Sequence, residues 1–585
     1  MPYDFVPYPF SAKRYAPQLP SLDAGVDVQR HPVVVVGGGP VGYSAALGLA
    51  RQGIRVVLLE ADDSVCTGSR AICISRRSLE ITERLGALPG FLDIGLPWTG
   101  GRSYYRDTEV LHFKMPQDEN QKLPPMLNLA QYHIEQILLD RAEQLADLIE
   151  IRWQTRVTGV ESFADGVRLM LTTPLGDYAL DADWLVASDG GRSTVRESLG
   201  LALQGASYEG RYVIVDILLD SQRATERLAY FDPLCNPGST VLVHKQPHGV
   251  WRIDYQLGDG EDPEQAVLPE NVMPRVASLL EMMGERGAWQ PIWTTIYKAN
   301  ALTLERYRHG RVLLAGDAAH LVPIFGVRGA NSGIDDADNL AWKLAYVVRG
   351  LASERLLDSY SDERVAATHE NLAQGTKSTE FMAPPSFAFA LMRTAVLGLA
   401  LRHPRLCSLI NPRQSVAICY TASPLNTALA ASAEFAAGPI PGAVLPECPL
   451  THINAGDARP GHLTDLLGTG FTALYFSEAG ELSPELMALM APMPPMPLTP
   501  LTPLPNSLAA RGAIHGRPLT LRLITRVQST GAFPSAWDHT QRLFALMGAK
   551  PGSLYLVRPD GHVLARWQQG RVDAVLSAID HALHL

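Results

Sequence analysis

The stretch VVVVGGGPVG, residues 33–42, decides the fold class of this chain. Its four successive valines are typical of a strand that is buried on both faces of a parallel sheet. A glycine-rich turn follows, a helical pattern then runs to Gln52, and a second apolar run, Val56–Leu59, ends at Glu60. This order of strand, turn, helix and strand predicts a βαβ unit of the dinucleotide-binding type.

The glycines of this turn match the GxGxxG fingerprint, and each has a physical role. Gly37 permits the tight turn, Gly39 lets the backbone approach a pyrophosphate, and Gly42 lets the helix pack closely on the strand. The helix N-terminus offers free N–H groups and a positive dipole end to phosphates. The predicted contacts are Gly37, Gly39, Pro40, Val41, Gly42 and, through the ribose hydroxyls, Glu60. The fingerprint alone leaves FAD and NAD(P) open.

A second motif, RVLLAGDAAH at residues 311–320, favours FAD. Its strand ends in Gly316-Asp317, which places a carboxylate at the same edge of the sheet as the first motif. There Asp317 can hydrogen-bond a polyol such as the ribityl chain. The loop Gly326–Gly333 then opens a long helix, and N–H groups at a helix start would stabilise the negative charge of a reduced flavin. Two turns at one sheet edge therefore predict a single FAD site.

These motifs resemble those of the FAD-dependent aromatic hydroxylases, the group of p-hydroxybenzoate, phenol and 3-(3-hydroxyphenyl)propionate hydroxylases. The resemblance covers roughly residues 31–375 and includes a third element, SDGGRSTVR at 188–196. It implies an α/β fold with a p-hydroxybenzoate-hydroxylase-like FAD domain, an antiparallel substrate sheet and a thioredoxin-like C-terminal domain. It also implies that Asp317 binds the ribityl chain and that Asp189 supports both FAD and NAD(P)H.

By the same resemblance, further residues are expected at the cofactor. The segment Ser69–Ile72 looks like the family's Arg-Ala segment along the pyrophosphate, and Gln131 sits where the family places a glutamine or arginine beside the flavin. The contacts expected in this way are Arg70, Ala71, Gln131, Pro323, Gly329, Ala330 and Asn331. Ile324 departs from the family pattern, because a second proline often stands there beside the substrate.

The activity that the resemblance implies is hydroxylation of a phenolic ring. NADH or NADPH would reduce FAD, and reduced flavin with O2 would give a C4a-hydroperoxide that attacks the ring. No second GxGxxG is visible, so NAD(P)H is expected to bind transiently. Two other activities of this fold stay open: a monooxygenase of a polycyclic or antibiotic-type substrate, and an FAD-dependent reductase without oxygen insertion. A redox sensor is disfavoured, because a full set of flavin contacts and a substrate-sized sheet are both expected.

The sequence says less about the catalytic residues. The strand WRIDYQL at residues 251–257 alternates, which places every second side chain on the same face. Tyr255 could contact a phenol and Arg252 a carboxylate, although both could equally be ordinary core or surface residues. His244 and His320 are expected to be structural.

Composition narrows the remaining classes. A net charge of −10 and a pI near 5.9 argue against a nucleic-acid partner or an anionic membrane surface. The N-terminus lacks the pattern of a signal peptide, and the apolar run Phe387–Leu401 is too short to span a membrane and contains Arg393. Six scattered cysteines without a CxxC pair predict reduced thiols in a cytoplasmic protein and no metal site.

The pattern of elements divides the chain into six parts. We expect an N-terminal arm at 1–28, two parts of an FAD-binding domain at 29–205 and 301–375, a substrate-binding sheet at 206–300, a helical segment at 376–440 and a thioredoxin-like domain at 441–585. The last part contains a proline-rich insertion at 491–505 and, without CxxC, cannot exchange dithiols. A structural or homodimer-forming role is the hypothesis for this domain.

Overall fold

The computed structural model describes residues 4–258, 260–323, 325–410, 416–454, 457–482, 485–486, 513–514, 517–528 and 533–584. Ile324 and the proline-rich stretch 491–505, both singled out in the sequence, lie outside these residues. In chain order the strands are β1 (Leu22–Asp23), β2 (Val26–Asp27), β3 (His31–Val36), β4 (Val56–Leu59), β5 (Cys73–Ser75), β6 (Leu96–Trp98), β7 (Gly100–Tyr105), β8 (Thr108–Lys114), β9 (Met126–Asn128), β10 (Ile149–Arg152), β11 (Arg156–Ser162), β12 (Val167–Thr173), β13 (Gly176–Ala187), β14 (Gln204–Leu219), β15 (Arg227–Phe231), β16 (Thr240–Lys245), β17 (Val250–Gln256), β18 (Trp289–Thr303), β19 (Arg308–His309), β20 (Val312–Leu314), β21 (His320–Leu321), β22 (Pro449–Asn454), β23 (Asp457–His462), β24 (Phe471–Ser477), β25 (Ala513–Ile514), β26 (Arg517–Thr525), β27 (Ser535–Trp537), β28 (Leu554–Val557) and β29 (Val563–Trp567). The helices are α1 (Pro40–Arg51), α2 (Arg76–Arg84), α3 (Leu88–Ile94), α4 (Gln131–Glu143), α5 (Thr194–Ser198), α6 (Pro263–Ala266), α7 (Pro269–Met282), α8 (Gly329–Val348), α9 (Leu356–Met382), α10 (Phe387–Ala400), α11 (Leu429–Ser432), α12 (Leu543–Leu546) and α13 (Val572–Leu583).

The first sheet has a parallel core in the order β13-β3-β4-β10, with β20 also paired to β13. The predicted strand at Val33–Val36 and the predicted strand at Val56–Leu59 both form, as β3 and β4. In the register of this sheet Ala187 lies opposite both Val36 and Leu314. Three strands therefore end at one edge, and the three glycine-containing turns that follow them start there together.

The second sheet is mostly antiparallel, in the order β21-β18-β14-β17-β16-β15-β7-β8. Its central strands were predicted within residues 206–300. Strands β7 and β8, at residues 100–114, were not predicted to belong to it, yet β7 joins it parallel to β15. Helix α7 packs on one face through Val272, Val276 and Leu279. The opposite face is turned toward the glycine-containing turns of the first sheet.

The third sheet, in the order β23-β22-β27-β26-β24-β28-β29, forms the C-terminal part of the chain. Strands β24, β26 and β27 are parallel, and the predicted hairpin forms as β28 and β29, with Gly561 at a φ of +81° in its turn. The likeness of this part to thioredoxin stays a prediction. The helical segment expected at 376–440 contains the end of α9 and the whole of α10 and α11, and Pro404, which lacks the N–H donor of a helix, follows the end of α10.

Buried charges join the C-terminal hairpin to helices α8 and α9. The Arg558 guanidinium donates to Glu363 at 2.6 Å, and the Lys343 ammonium donates to the same carboxylate at 2.7 Å. The carboxylate of Asp560 accepts from the indole N–H of Trp342 at 3.0 Å. All of these side chains are nearly inaccessible to solvent. The hairpin is therefore part of the interior that α8 and α9 form.

The N-terminal arm is extended and crosses the parts of the molecule that contain the first and second sheets. The ring of Tyr15 stacks on Trp153 with centroids 4.3 Å apart. Further toward the N-terminus, the N–H of Val6 donates to the carbonyl of Pro291 on β18 at 2.9 Å. The sequence predicted an arm over the surface, and the arm bridges the first and second sheets.

Helix α10 occupies most of the apolar run Phe387–Leu401, and its buried residues are Arg393, Leu397 and Ala400. Its Arg393 points inward and donates to the carbonyls of Met382 at 3.1 Å and Gly238 at 3.0 Å. Within the described ranges, no helix taken singly has both the length and the apolar character needed to cross a membrane; α9 and α10, bent by 78° where they meet, pass only as a pair.

Candidate active site

A cavity of about 340 Å³ lies between the common edge of the first sheet and the inner face of the second. The predicted residues that line it are Gly39, Pro40, Val41, Arg70, Ala71, Gln131, Arg252, Asp317, Pro323, Gly329, Ala330 and Asn331. The predicted residues outside its lining are Gly37, Gly42, Glu60, Asp189 and Tyr255. The fold thus gathers most of the expected cofactor contacts around one space, and their binding of the cofactor stays a prediction.

The first glycine turn has the geometry that a pyrophosphate requires. Gly37 has a φ of +100°, and a Cβ there would lie 2.5 Å from the carbonyl oxygen of Ser188. A Cβ on Gly42 would lie 1.8 Å from the carbonyl oxygen of Gly37, so the helix and the turn are in direct contact. A Cβ on Gly39 would meet no described atom within 4 Å, and this residue faces the cavity. Because α1 begins at Pro40 without a side-chain cap from the described residues, its first N–H groups are open to an anion.

The Gly316-Asp317 turn is held from below by buried charges. The N–H of Gly316 donates to Asp336 Oδ2 at 2.9 Å, and His320 Nε2 lies 2.7 Å from the same oxygen. Arg364 donates to the other oxygen at 2.6 Å, and this cation together with His320 lowers the pKa of Asp336 to about 2 despite burial. Asp317 lines the cavity, and its side chain is exposed. His320 has the structural role that the sequence suggested.

The Arg-Ala segment borders the cavity and is positioned by Gln131. The side-chain oxygen of Gln131 accepts from the N–H of Arg70 at 3.3 Å and from that of Ala71 at 3.2 Å. The N–H of Gln131 in turn donates to Ser69 Oγ at 3.0 Å. Gln131 therefore holds the segment in place, and the exposed side chain of Arg70 is left for a ligand.

The first turn of α8 is tied to β5 through Asn331. The amide oxygen of Asn331 accepts from the N–H of Ser75 at 2.9 Å, and its amide nitrogen donates to the carbonyl of Cys73 at 3.0 Å. A Cβ on Gly329 would meet no described atom within 4 Å. The backbone at the start of α8 is thus fixed and open toward the cavity, which suits an anionic group.

Two predicted carboxylates are engaged within the protein. Glu60 accepts from the N–H of Gly38 at 2.6 Å, beside the first turn, and its contact with a ribose stays a prediction. Asp189 accepts from Ser193 Oγ at 2.6 Å and so shapes the third motif. In that motif it is the backbone at Gly190, and not the carboxylate, that lines the cavity.

Arg252 lines the cavity, but an internal carboxylate already occupies it. Its Nε and Nη2 donate to the two oxygens of Asp216 at 2.8 and 2.7 Å. Its Nη1 donates to the carbonyl of Arg70 at 3.1 Å, and Nη2 also donates to that of Ser69. Four of the five guanidinium N–H groups are thereby used. In the described structure this side chain positions the Arg-Ala segment, and its binding of a substrate carboxylate stays a prediction.

Tyr255 lies on the opposite face of β17, away from the cavity. It is buried in the core with Ile253 and α7, and the guanidinium of Arg275 lies 5.3 Å from its ring centroid. The alternation of β17 was predicted correctly, but the pattern did not reveal which face covers the flavin turns. Tyr255 as a contact to a phenol is therefore corrected.

The polar residues of the cavity lining that were not predicted as site residues include Arg227, His244 and Asp254 on the second sheet. Asp254 shares the face of Arg252, so the alternation contained a signal for it. His244 was expected to be structural. Arg227 begins the run RLAYF, which shows no feature that marks a site, since its neighbours in space come from other strands.

Comparison with known proteins decides the family. The sequence profile described as "FAD binding domain" matches residues 30–374, which is more than half of the chain. The chain belongs to the FAD binding domain family. This FAD binding domain protein is 31% identical over 383 residues to a 3-(3-hydroxy-phenyl)propionate/3-hydroxycinnamic acid hydroxylase of Mycolicibacterium smegmatis, covering 64% of this chain and 65% of that protein. The chain thus spans slightly less than two thirds of that relative.

Another relative aligns along almost the whole chain. A 6-methylpretetramide 4-monooxygenase of Streptomyces rimosus is 29% identical over 571 residues, which cover 94% of this FAD binding domain protein and 93% of the relative. The family and these relatives confirm the resemblance to FAD-dependent aromatic hydroxylases that the motifs indicated.

Solved structures of similar fold include the flavin-dependent monooxygenase PieE in complex with FAD and substrate, with a TM-score of 0.76, 23% identity and coverage of 95% of this chain and 99% of the other. Aklavinone-11 hydroxylase, in a complex with FAD and aklavinone, has a TM-score of 0.72, 24% identity and coverage of 95% and 100%. At these identities the likeness concerns the fold, and it confirms the predicted α/β fold class.

Proposed function

We propose that the protein is an FAD-dependent monooxygenase that hydroxylates a phenolic ring, with NADH or NADPH as reductant and O2 as oxidant. The observation that carries the proposal is one cavity with two different walls. One wall consists of the glycine-containing turns, and the other is a sheet face with buried polar side chains. A protein that only stored a dinucleotide would not need the second wall.

The residues of the first wall fit FAD. The open backbone at Gly39 and the N-terminus of α1 would hold the pyrophosphate, and Arg70 would add a positive charge beside it. Asp317 would accept hydrogen bonds from the ribityl hydroxyls, and the backbone around Gly329 would face the anionic side of the flavin ring. Bound FAD would supply the redox chemistry, hydride uptake from NAD(P)H and activation of O2.

The rest of the lining supports a dry site. Apolar side chains from the second sheet, from the residue after β21 and from the Arg-Ala segment cover much of the cavity: Ile214, Leu242, Leu321, Val322 and Ile72. Exclusion of water favours transfer of oxygen to the substrate over release of hydrogen peroxide. This feature supports a monooxygenase more than an oxidase or a reductase.

We infer that NAD(P)H binds only transiently. The sequence contains no second GxGxxG, and the turn at Gly190 and Gly191 opens on the flavin cavity from the side of the first sheet. The scattered free cysteines support a cytoplasmic location, where thiols stay reduced.

A polycyclic substrate is the second candidate, and the relative from Streptomyces rimosus that aligns over 94% of this chain favours it. A substrate with a single ring is favoured by the relative from Mycolicibacterium smegmatis, a 3-(3-hydroxy-phenyl)propionate/3-hydroxycinnamic acid hydroxylase. We therefore propose a phenol with a single ring as the substrate class.

Steady-state assays of the purified holoprotein test this function. A panel of phenols with one to four rings would be added, while NAD(P)H oxidation and hydrogen peroxide are followed. We expect phenols with one ring to stimulate NAD(P)H oxidation with little peroxide. Stimulation by polycyclic phenols alone would support the second candidate. Oxidation that no phenol stimulates would contradict both and would indicate a reductase.

A further inference from the structure

The inner face of the second sheet brings a set of polar side chains together. In the strand register Arg227 on β15 lies opposite His244 on β16, and His244 lies opposite Arg252 on β17. Asp254 follows two residues along β17 and therefore shares this face. All four side chains line the cavity.

Three of these side chains are buried without being satisfied. Arg227, His244 and Asp254 are only 4%, 5% and 5% exposed. Arg227 Nε, His244 Nδ1 and Asp254 Oδ1 have no hydrogen-bond partner within the described part of the chain. Buried polar atoms of this kind are rare in folded proteins, because a buried polar atom without a partner destabilises the fold. Three of them on one cavity wall indicate that the wall receives a polar ligand.

The neighbouring pair on the same sheet shows the contrast. Arg252 and Asp216 are equally buried, but they satisfy each other through two hydrogen bonds of 2.8 and 2.7 Å. The two side chains of that pair satisfy each other, and Arg252 also donates to the backbone of the Arg-Ala segment. Arg227 and Asp254 lie beside the Arg252–Asp216 pair, and each has a polar atom without a hydrogen-bond partner in the described part of the chain. This second pair of opposite charges is therefore open to a substrate.

The charges around Asp254 poise it to exchange a proton near neutral pH. Burial raises the pKa of Asp254 to about 7, and Asp216 adds to this effect, whereas Arg252 and Arg227 oppose it. Burial and the same two arginines lower the pKa of His244 to about 3, so its imidazole is neutral at pH 7. The charged groups that face this cluster across the cavity are Arg70, Asp317 and Arg328.

We propose that Asp254 accepts the proton of the substrate's phenolic hydroxyl and that Arg227 pairs with the phenolate that results. The inference rests on the proposed function and deepens it, because it names the acid–base pair that selects a phenol. The phenolic O–H bond breaks and its proton moves to the Asp254 carboxylate, which becomes a neutral acid. The ring is thereby made electron-rich, and the proton returns to the oxygen when the product leaves.

The pH dependence of kcat/KM tests the proton transfer. For a weakly acidic phenol, we expect the rate of the native enzyme to rise through about pH 7, where Asp254 ionises, and then to level off. In Asp254→Asn the rate at pH 8 should fall about 10²-fold, because a general base is lost. It should then keep rising toward the phenol's own pKa of about 10, since only phenol ionised in solution can react.

Substrate acidity and a matched variant serve as controls. A nitrophenol is already largely ionised in solution, so Asp254→Asn should slow its reaction far less than that of an unsubstituted phenol. Asp254→Glu should restore the step near pH 7, whereas Asp177→Asn, at an exposed position near the start of β13, should leave the profile unchanged. Equal losses for both phenols, or an unchanged profile in Asp254→Asn, would overturn the proposal.

A binding titration separates this inference from the hydroxylase function. Phenol is titrated into the holoenzyme without NAD(P)H, and the flavin absorbance reports the dissociation constant at each pH. We expect binding to tighten about tenfold as pH rises through about 7 in the native enzyme, and this step to vanish in Asp254→Asn. The step could appear even if no phenol were hydroxylated. A step that persists in Asp254→Asn would refute the role of Asp254 alone.

Discussion

At the scale of the residue, the roles of the glycines in the first turn depend on the space around each of them. Gly39 and Gly42 belong to the same fingerprint, but the space around them differs. A Cβ on Gly39 would point into open space at the cavity, whereas one on Gly42 would lie 1.8 Å from a backbone oxygen. The fingerprint predicts both glycines, and the structure separates Gly39, which faces the cavity, from Gly42, which packs against the turn.

Alanine substitutions at these two glycines should therefore change different properties of the protein. Gly39→Ala should leave the free energy of unfolding nearly unchanged but weaken FAD binding about tenfold or more. Gly42→Ala should lower the free energy of unfolding by about 1–3 kcal/mol, because it overpacks the helix against the turn. Urea unfolding and flavin fluorescence measure the two quantities. A Gly39→Ala protein that is destabilised yet retains FAD normally would be inconsistent with this assignment.

At the scale of the element, the sequence predicted elements that depend on neighbouring residues, but it did not predict how distant strands pair. Strands β3 and β4, helix α1 and the hairpin of β28 and β29 follow from apolar runs and turn residues that lie next to one another in sequence. Strands β7 and β8 were missed as members of the second sheet because β7 pairs with β15, more than a hundred residues away. For the same reason the alternation of β17 did not show that the face of Asp254, and not that of Tyr255, meets the cavity.

The N-terminal arm is an element that reaches the cavity wall through a chain of contacts. The hydroxyl of Tyr8 donates to Asp216 at 2.6 Å, and Asp216 holds Arg252, which in turn holds the backbone at Arg70. We expect Tyr8→Phe to lower the free energy of unfolding by about 1.5–3 kcal/mol, since a hydrogen bond to a charged, buried group is lost.

Tyr15→Phe is the matched control for Tyr8→Phe. The hydroxyl of Tyr15 donates to the exposed Glu143 at 2.9 Å, so its loss should change the free energy of unfolding by less than about 0.5 kcal/mol. Urea unfolding measures both variants. Equal effects would show that the arm does not act through Asp216.

At the scale of the whole molecule, the C-terminal part and the FAD-binding part share one buried network of charges. Arg558 contacts Glu363 through both carboxylate oxygens, at 2.6 and 3.0 Å. Arg558→Ala would leave Glu363 with one buried cation, Lys343, and should lower the free energy of unfolding by about 3–5 kcal/mol.

Removal of the chain after residue 440 should likewise destabilise the FAD-binding part. Thermal unfolding checks both, and a fully stable truncated protein would contradict the shared interior.

The same network should make the protein sensitive to acid. Arg558 keeps the pKa values of Glu363 and Asp560 well below their usual range, and Arg364 does so for Asp336. Because these pKa values are depressed in the folded state, the carboxylates stabilise it above about pH 4.5, and this contribution is lost as pH falls toward about 2. Denaturation measured between these pH values should be less pH-dependent in Arg558→Ala than in the native protein.

Homodimer formation stays a proposal for the intact chain. Light scattering of the full-length protein tests it, since one chain has a mass of 63.6 kDa. A mass of twice this value is expected. The mass of a single chain at micromolar concentration would contradict the dimer.

The most direct test of the proposed activity is the origin of the oxygen atom in the product. The holoenzyme would be given NAD(P)H, a single-ring phenol and ¹⁸O2 in unlabelled water, and the product would be analysed by mass spectrometry. The account predicts one ¹⁸O atom in each hydroxylated ring. Phenol-stimulated NAD(P)H oxidation that yields no labelled product would contradict it.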